Sequence, residues 1–266
     1  MALVILQSGR CAIGSYITLA TGYSVIDEAG EPVLVVTAEN RGDEPAYAVQ
    51  SEIIVDDAVR VGQPVRVLGA NEKTAGQFPL AGVLETPGRY PVVVRTFYED
   101  ANGYRFTALT VGVYNHRSGI TPAVSITGRA TEIPLDGTGR LEFVLRNEGL
   151  DALEIDTMLY LPDELSVTDE HARIDLAPRQ DRVIAYRLEN FAALANSSYP
   201  VSLIGRYRQA GSPIGVVGSA VVRISADAGS AARPLWIWVI LGGLLPGVML
   251  LAWLQRTRLA VRDGQR

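Results

Sequence analysis

The chain lacks most of the residues that build disulfides and metal centres. Cys11 is its only cysteine, so no disulfide can form within the chain. Its two histidines, His116 and His171, are far apart in the sequence, and neither has a histidine or cysteine neighbour at metal-ligand spacing. We therefore predict no metal and no other cofactor, and we expect both histidines to lie in solvent.

Catalytic signatures are also missing. The sequence contains no Gly-x-Ser-x-Gly elbow, no phosphate-binding loop and no dinucleotide fingerprint. Carboxylate pairs such as Asp163-Glu164 fall at predicted strand ends without the regular spacing of a calcium loop, and we interpret them as solvated turns. The chain is therefore predicted to be non-enzymatic, with no catalytic residue.

Positive charge is not clustered before the C-terminal region. The net charge is −5, Lys73 is the only lysine, and no basic block precedes residue 235. Phosphate binding needs a concentrated set of lysines and arginines, so we expect no nucleic-acid partner.

The remaining composition favours β-structure. At 48% hydrophobic and 20% charged residues the chain is globular, and its 14 prolines and 26 glycines suit short strands joined by turns. Leu141, Phe143 and Leu145 alternate with polar residues, as in a half-buried strand. Asn102-Gly103 predicts a tight hairpin because both residues tolerate positive φ. No stretch before residue 235 has a sustained helical period.

An internal repeat organises this region. Asn40-Arg41-Gly42 and Asn147-Glu148-Gly149 each follow a predicted strand, and Tyr90-Pro91-Val92 recurs as Tyr199-Pro200-Val201 at nearly the same offset. Because both markers recur after nearly the same number of residues, they indicate tandem homologous domains.

Short motifs carry a family resemblance. Gly88-Arg89-Tyr90-Pro91-Val92 resembles the Gly-x-Tyr-x-Val entry to the penultimate strand of immunoglobulin-like sandwiches, in which the tyrosine hydrogen-bonds back across a corner. The Asn-x-Gly turns resemble bacterial immunoglobulin-like modules of the CARDB and NEW3 types, and Leu176-Ala177-Pro178 is similar to a turn of NEW3 modules. The resemblance implies accessory, spacer or carbohydrate-associated roles in envelope proteins, and no catalytic residue.

The predicted fold class is all-β: two tandem immunoglobulin-like β-sandwiches followed by a single transmembrane α-helix. The predicted segments are a first sandwich at 1–116, a hinge at 117–121, a second sandwich at 122–226, a stalk at 227–234, the membrane helix at 235–254 and an arginine-rich tail at 255–266.

The membrane helix is the clearest functional signal. Residues 235–254 carry no charge and are long enough to cross a hydrocarbon core of roughly 30 Å as a helix. Trp236 and Trp238 lie at one end and Trp253 at the other, the position of interfacial anchors. Gly243 and Gly247 have the spacing that lets two membrane helices pack closely, although glycine is also common in such helices generally.

Arginines set the expected orientation. Arg256 and Arg258 begin the basic tail, which predicts a cytoplasmic C-terminus and N-terminal domains in the periplasm or outside the cell. Residues 1–7 lack the basic start and long apolar stretch of a signal peptide. Either the start codon is placed too late or the export element lies upstream, or the protein is tail-anchored with its domains in the cytoplasm.

Two functions from different classes remain. The leading hypothesis is an accessory or scaffold subunit of a bacterial cytoplasmic-membrane complex, such as an exporter or a glycan-assembly system, with the lipid bilayer and other membrane subunits as partners. The alternative is a surface module for carbohydrate binding or adhesion, with a glycan as partner. Tyr104 and Phe106, beside the predicted hairpin, are the candidate partner surface, although hairpin packing also explains them.

Overall fold

The computed structural model describes residues 16–226, and this region is built from β-strands. The strands are β1 (Leu19–Glu28), β2 (Glu31–Asn40), β3 (Ala46–Val55), β4 (Ala58–Val61), β5 (Val65–Leu68), β6 (Lys73–Pro79), β7 (Gly88–Glu99), β8 (Arg105–His116), β9 (Val124–Arg129), β10 (Thr131–Pro134), β11 (Thr138–Asn147), β12 (Leu153–Tyr160), β13 (Leu165–Val167), β14 (His171–Leu176), β15 (Asp181–Asn190), β16 (Ser198–Gln209) and β17 (Ser212–Ser225). The predicted all-β sandwich class is confirmed.

Several predictions concern residues that the structure does not describe. Within residues 16–226, no helix has the length and apolar character needed to cross a membrane. The segments that lie outside the described residues are the stalk 227–234, the helix 235–254 with Trp236, Trp238, Gly243, Gly247 and Trp253, and the tail with Arg256 and Arg258. Cys11 also lies outside them.

Two sheets form the first half of the described chain. One has the order β1-β2-β6, and the other places β7 between β8 and β3, with β4 and β5 beyond β3. Leu34 of β2 and Phe78 of β6 belong to the same buried cluster as Ile53 of β3 and Val92 of β7. Their side chains therefore form the core between the two sheets.

The second half repeats this arrangement. One sheet has the order β13-β15-β11-β9, and the opposing strands follow the order β14-β12-β16-β17. Leu141, Phe143 and Leu145 are buried on one face of β11, which confirms the predicted alternation. They share a core with Leu203 of β16 and Val222 of β17.

Both Asn-x-Gly turns are built in the same way. The Asn40 side-chain amide donates to the main-chain oxygens of Glu44 and Leu68, and its Oδ1 accepts from the Gly42 N–H at 3.0 Å. The Asn147 amide likewise donates to Asp151 O at 2.8 Å, and its Oδ1 accepts from Gly149 N–H at 2.9 Å. Because both asparagines are fully buried, these bonds fix the same turn in each half.

The predicted tyrosine bond is also present. Tyr90 OH donates to the main-chain oxygen of Thr86 at 2.7 Å, back across the corner that leads into β7. The predicted hairpin at Asn102-Gly103 connects β7 to β8, and Gly103 takes φ +79°. The tyrosine bond and the hairpin are confirmed, but the connection spans residues 100–104, and of Asn102 and Gly103 only the glycine has a positive φ.

The halves differ at one sheet edge. In the second half, β10 runs parallel to the outer edge of β17 and pairs with it from Val222 to Ser225. In the first half, β1 stays paired with β2 from Leu19 to Glu28. Among the strands of residues 16–226, only β7 pairs with β8. The other edge of β8 is therefore uncovered by a strand.

A seam joins the two halves. Val93 and Leu109 of the first half form a buried cluster with Ile204 of the second. At its margin, Arg206 Nη1 lies 2.5 Å from Asp57 Oδ1. The strands also meet in a parallel bridge between β17 and β7, so one sheet of ten strands runs through both halves.

Candidate functional site

A cleft of about 640 Å³ opens where the uncovered edge of β8 meets the second half. Its first wall is the chain entering β1, from Tyr16 to Leu19, and its second is the start of β8, from Phe106 to Thr110. The second half closes it with Glu164, Leu194 and residues 197–200. The cleft is thus built from both halves.

Hydrogen bonds close the cleft at one end. The hydroxyl oxygens of Thr21 and Thr110 lie 2.5 Å apart, and Tyr23 OH donates to the Val113 main-chain oxygen at 3.3 Å. Gly112 provides the space for Tyr23, since a Cβ at that position would overlap the phenol. β1 is therefore tied to β8 from Thr21 onward, and the cleft lies on the Tyr16 side of that bond.

Main-chain groups of β8 face the uncovered edge. The Thr107 N–H donates to Glu164 Oε1, and the Val113 oxygen accepts from Tyr23, so both groups point away from β7. In an antiparallel pair the outward-facing residues alternate. Leu109, two residues beyond Thr107, therefore also presents its N–H and C=O at this edge.

Glu164 is the most unusual polar residue of the cleft. Its side chain is 4% exposed, Oε1 accepts from Thr107 N–H at 3.2 Å, and Oε2 is buried with no hydrogen-bond partner among the described residues. Burial raises the pKa of this carboxyl, against the lowering effect of hydrogen bonds from main-chain N–H groups. An unpaired buried carboxylate is costly, so the position calls for a hydrogen-bond donor.

Aromatic rings lie beside this carboxyl. Phe106 stacks on Tyr98, with ring centroids 5.5 Å apart and planes at 26°. Burial, the nearby Glu164 carboxylate and Tyr199 together raise the pKa of Tyr98 to about 12. The ring pair thus forms an apolar wall next to a negative group.

The mouth of the cleft is apolar and acidic. Tyr16 is 54% and Leu194 55% exposed, both unusually open for large apolar side chains. Glu44 and Asp100 join Glu164 in the lining, and none of the lining residues between 16 and 226 is a lysine, arginine or histidine. Although desolvation opposes ionisation, main-chain hydrogen bonds from Tyr104 and Asn102 lower the pKa of Asp100. The cleft therefore carries negative charge at neutral pH.

The structure separates the two residues predicted as a partner surface. Phe106 lines the cleft, whereas Tyr104 is 67% exposed at the hairpin tip and does not line it. Glu164 corrects a further expectation, because it is buried rather than part of a solvated turn. No local signal distinguishes it from its exposed neighbour Asp163; its burial comes from the approach of β8, which is distant in the sequence.

The histidines also lie in different environments. His171 is exposed as expected, with its Nε2 2.5 Å from Asp156 Oδ1. The expectation for His116 is wrong: it ends β8, is 3% exposed, and packs near the rings of Tyr90 and Tyr114. Within the described part of the chain, no group of three or more His, Cys, Asp or Glu side chains could hold a metal ion.

Comparisons with known proteins give no family. No family model and no curated protein matches the chain. A non-cellulosomal cohesin from the hyperthermophilic archaeon Archaeoglobus fulgidus is 14% identical, with 42% of this chain and 99% of the cohesin covered at a TM-score of 0.31. The periplasmic chaperone SfaE is 12% identical, with 76% and 100% covered at 0.31.

A longer protein is similar as well. Trypsin-activated α2-macroglobulin from Escherichia coli is 10% identical, with 79% of this chain covered at a TM-score of 0.33. The chain spans only 18% of the length of that protein. At these TM-scores the likenesses assign no function to the chain.

Proposed function

We propose that this protein is a non-enzymatic, membrane-anchored accessory subunit of a bacterial envelope complex, and that it binds a partner protein in the cleft between its two halves. The observation that carries the proposal is the cleft itself. Exposed apolar side chains meet there with a strand edge and a buried carboxylate oxygen, neither of which has a partner among residues 16–226. Such edges accept an extended segment of another protein as an additional strand.

The membrane part of the proposal depends on the sequence of residues 235–254. In this proposal the segment spans the cytoplasmic membrane, two immunoglobulin-like sandwiches stand in the periplasm or outside the cell, and the arginine tail is cytoplasmic. Gly243 and Gly247 then form the packing face for a helix of the complex. The resemblance to CARDB and NEW3 modules stays a prediction.

Purification of the full chain tests this function. We expect the protein to remain in the membrane fraction until detergent is added, and mild-detergent purification with mass spectrometry to recover other membrane proteins in stoichiometric amounts. Protease added to intact spheroplasts should cleave the β-sandwich region. Release into the soluble fraction without detergent, or a clean monomer with no co-purifying membrane protein, contradicts the proposal.

Carbohydrate binding is the second candidate. It is favoured by the position of Phe106 beside cleft carboxylates, because aromatic faces and polar acceptors together suit a small polar ligand. A glycan array with the detergent-solubilised chain tests it, with Phe106→Ala expected to abolish binding and Tyr104→Ala, outside the cleft, expected to retain it. Absence of binding by the wild-type chain excludes this candidate.

A further inference from the structure

The chemistry of the cleft indicates which part of a partner it receives. Glu164 Oε2 is buried without a hydrogen-bond partner among residues 16–226, while Oε1 is already used by Thr107. One carboxylate oxygen therefore remains for an incoming donor. An unpaired buried acceptor of this kind is destabilising, and more so when it is charged.

We propose that the cleft binds a lysine or arginine side chain of the partner protein, with Glu164 as its counter-ion. This inference rests on the proposed function, since it names the chemistry of the protein segment that the cleft receives. The segment lies in extended form along the edge of β8 where no strand among residues 16–226 pairs with the outward main-chain groups of Leu109.

Charge complementarity supports a cation. Glu44, Asp100 and Glu164 are the carboxylic acids of the lining, and no basic side chain of the described part of the chain offsets them there. An anionic segment entering the cleft would meet like charge, and an apolar side chain would leave Glu164 Oε2 without a donor. A positive side chain is attracted by the negative charge of the lining and donates a hydrogen bond to Glu164 Oε2.

The aromatic wall suits the same ligand. Phe106 and Tyr98 lie in the lining with Glu164, so the stem of a lysine or arginine can pack on the rings while its charged head reaches the carboxylate. The faces of aromatic rings also attract cations directly. A metal ion fits less well, because hard cations need several converging oxygen ligands and the described residues contain no such group.

The second half differs from the first at one end of this edge. There, β10 pairs with Val222–Ser225 of β17, which in the register of the two hairpins match the end of β8 from Tyr114 onward. The start of the edge has an equivalent contact in each half, Thr21 with Thr110 and Ile126 with Gly218. The first half leaves its edge open at the place where the second half supplies Glu164.

Binding of designed peptides to the full chain in detergent tests this inference. The probes are three fluorescent ten-residue peptides of alternating valine and threonine with a central lysine, norleucine or glutamate. We expect the wild-type chain to bind the lysine peptide at least tenfold more tightly than the norleucine peptide and not to bind the glutamate peptide. Glu164→Gln should remove the lysine preference, whereas Glu85→Gln, at an exposed carboxylate outside the cleft, should retain it.

The outcomes separate this inference from the proposed function. Equal binding of lysine and norleucine peptides, no lysine-peptide binding at millimolar concentration, or an unchanged preference in folded Glu164→Gln overturns the inference. Thermal unfolding of each variant establishes that it is folded. If a photo-crosslink from Leu194 to a partner in cells is unaffected by Glu164→Gln, the inference fails while the proposed function stands; if the wild-type chain gives no crosslink, the proposed function itself fails.

Discussion

Glu164 shows how one residue can be poor for stability and useful for binding. Its carboxyl is buried, has one hydrogen bond from Thr107 N–H and leaves an oxygen unpaired within the described structure. Perturbed, incompletely paired acids are concentrated at functional sites because the incoming ligand supplies the missing partner. A stability measurement can detect this trade-off without knowledge of the partner.

Replacement of Glu164 by glutamine is expected to stabilise the free protein at neutral pH. Burial raises the pKa of this carboxyl, so the folded state favours its neutral form, and stability falls as pH rises from the ordinary value of 4.5 through the raised one. Glutamine stays neutral and keeps an acceptor for Thr107 N–H. The variant should therefore unfold at a higher temperature than wild type at pH 7, and the advantage should disappear below pH 4.5.

Thermal unfolding at several pH values measures this difference, with Glu85→Gln as the exposed control. A Glu164→Gln variant that is less stable than wild type at both pH 4 and pH 7 contradicts the expected effect.

His116 should make the protein sensitive to mild acid. Burial and, to a smaller extent, Arg117 lower the pKa of its imidazole, against the opposing effect of Glu31. The folded state therefore binds this proton less readily than the unfolded chain, and stability is lost as pH falls below the ordinary value of 6.5. His116→Phe, which keeps a ring beside Tyr90 and Tyr114, should flatten the stability curve below pH 6.5.

The control for this effect is His171→Gln, at an exposed position. Denaturant unfolding between pH 5 and pH 8 gives the slope of the unfolding free energy against pH for each variant. An identical slope in wild type and His116→Phe would show that another group causes any acid sensitivity.

At the scale of strands, the contact between β1 and β8 determines where the cleft ends. Tyr23 fits against Gly112, and its hydroxyl donates to Val113 O. A methyl group at position 112 would overlap the phenol, so Gly112→Ala is expected to cost about 1–3 kcal/mol of unfolding free energy. Gly119→Ala, where an added Cβ meets nothing within 4 Å, should have little effect.

Urea unfolding of both variants tests this contact. In a Tyr23→Phe background the cost of Gly112→Ala should decrease, because the overlapping hydroxyl is removed. Equal stability of the two glycine variants would mean that β1 is not held against β8 in this way.

Individual strands could be predicted from the sequence because their signals are local. The alternation in β11, the Asn102-Gly103 hairpin and the corner at Tyr90 each depend on a few neighbouring residues, and all three are present. The uncovered edge of β8 could not be predicted, because it depends on the path of β1, which stays on β2 instead of crossing to β8. Alternating apolar residues in β1 are compatible with either path.

At the scale of the whole molecule, the seam joins both halves through one buried cluster and one continuous sheet. The buried side chains that pack across it are Val93, Leu109 and Ile204. Each half alone would expose its part of this cluster to water. We therefore expect the β-sandwich region to unfold in a single calorimetric transition. Ile204→Asn should separate it into two transitions, because a buried amide in the seam weakens the contact between the halves.

The control variant is Val221→Asn, at a partly exposed position of β17 outside the seam cluster. Two separate transitions in the wild-type protein would contradict the claim that the buried contact makes the two halves unfold together.

The candidate site emerges only at this scale. Of the predicted surface residues, Phe106 lines the cleft, because it faces the junction with the second half, and Tyr104 does not. Glu164 and Leu194 are distant from Phe106 in the sequence, and only the docking of the two halves brings them together. Sequence patterns identify strands and turns, but they do not indicate how the two halves dock.

Site-specific photo-crosslinking in intact cells shows whether the cleft receives a partner protein. A photoreactive amino acid is placed at Leu194, which lines the cleft and is exposed, or at Val59, an exposed position on β4 outside the cleft. We expect a discrete crosslink to a membrane-complex protein from position 194 and none from position 59. Equal crosslinking from both positions, or no crosslink from position 194, would contradict it.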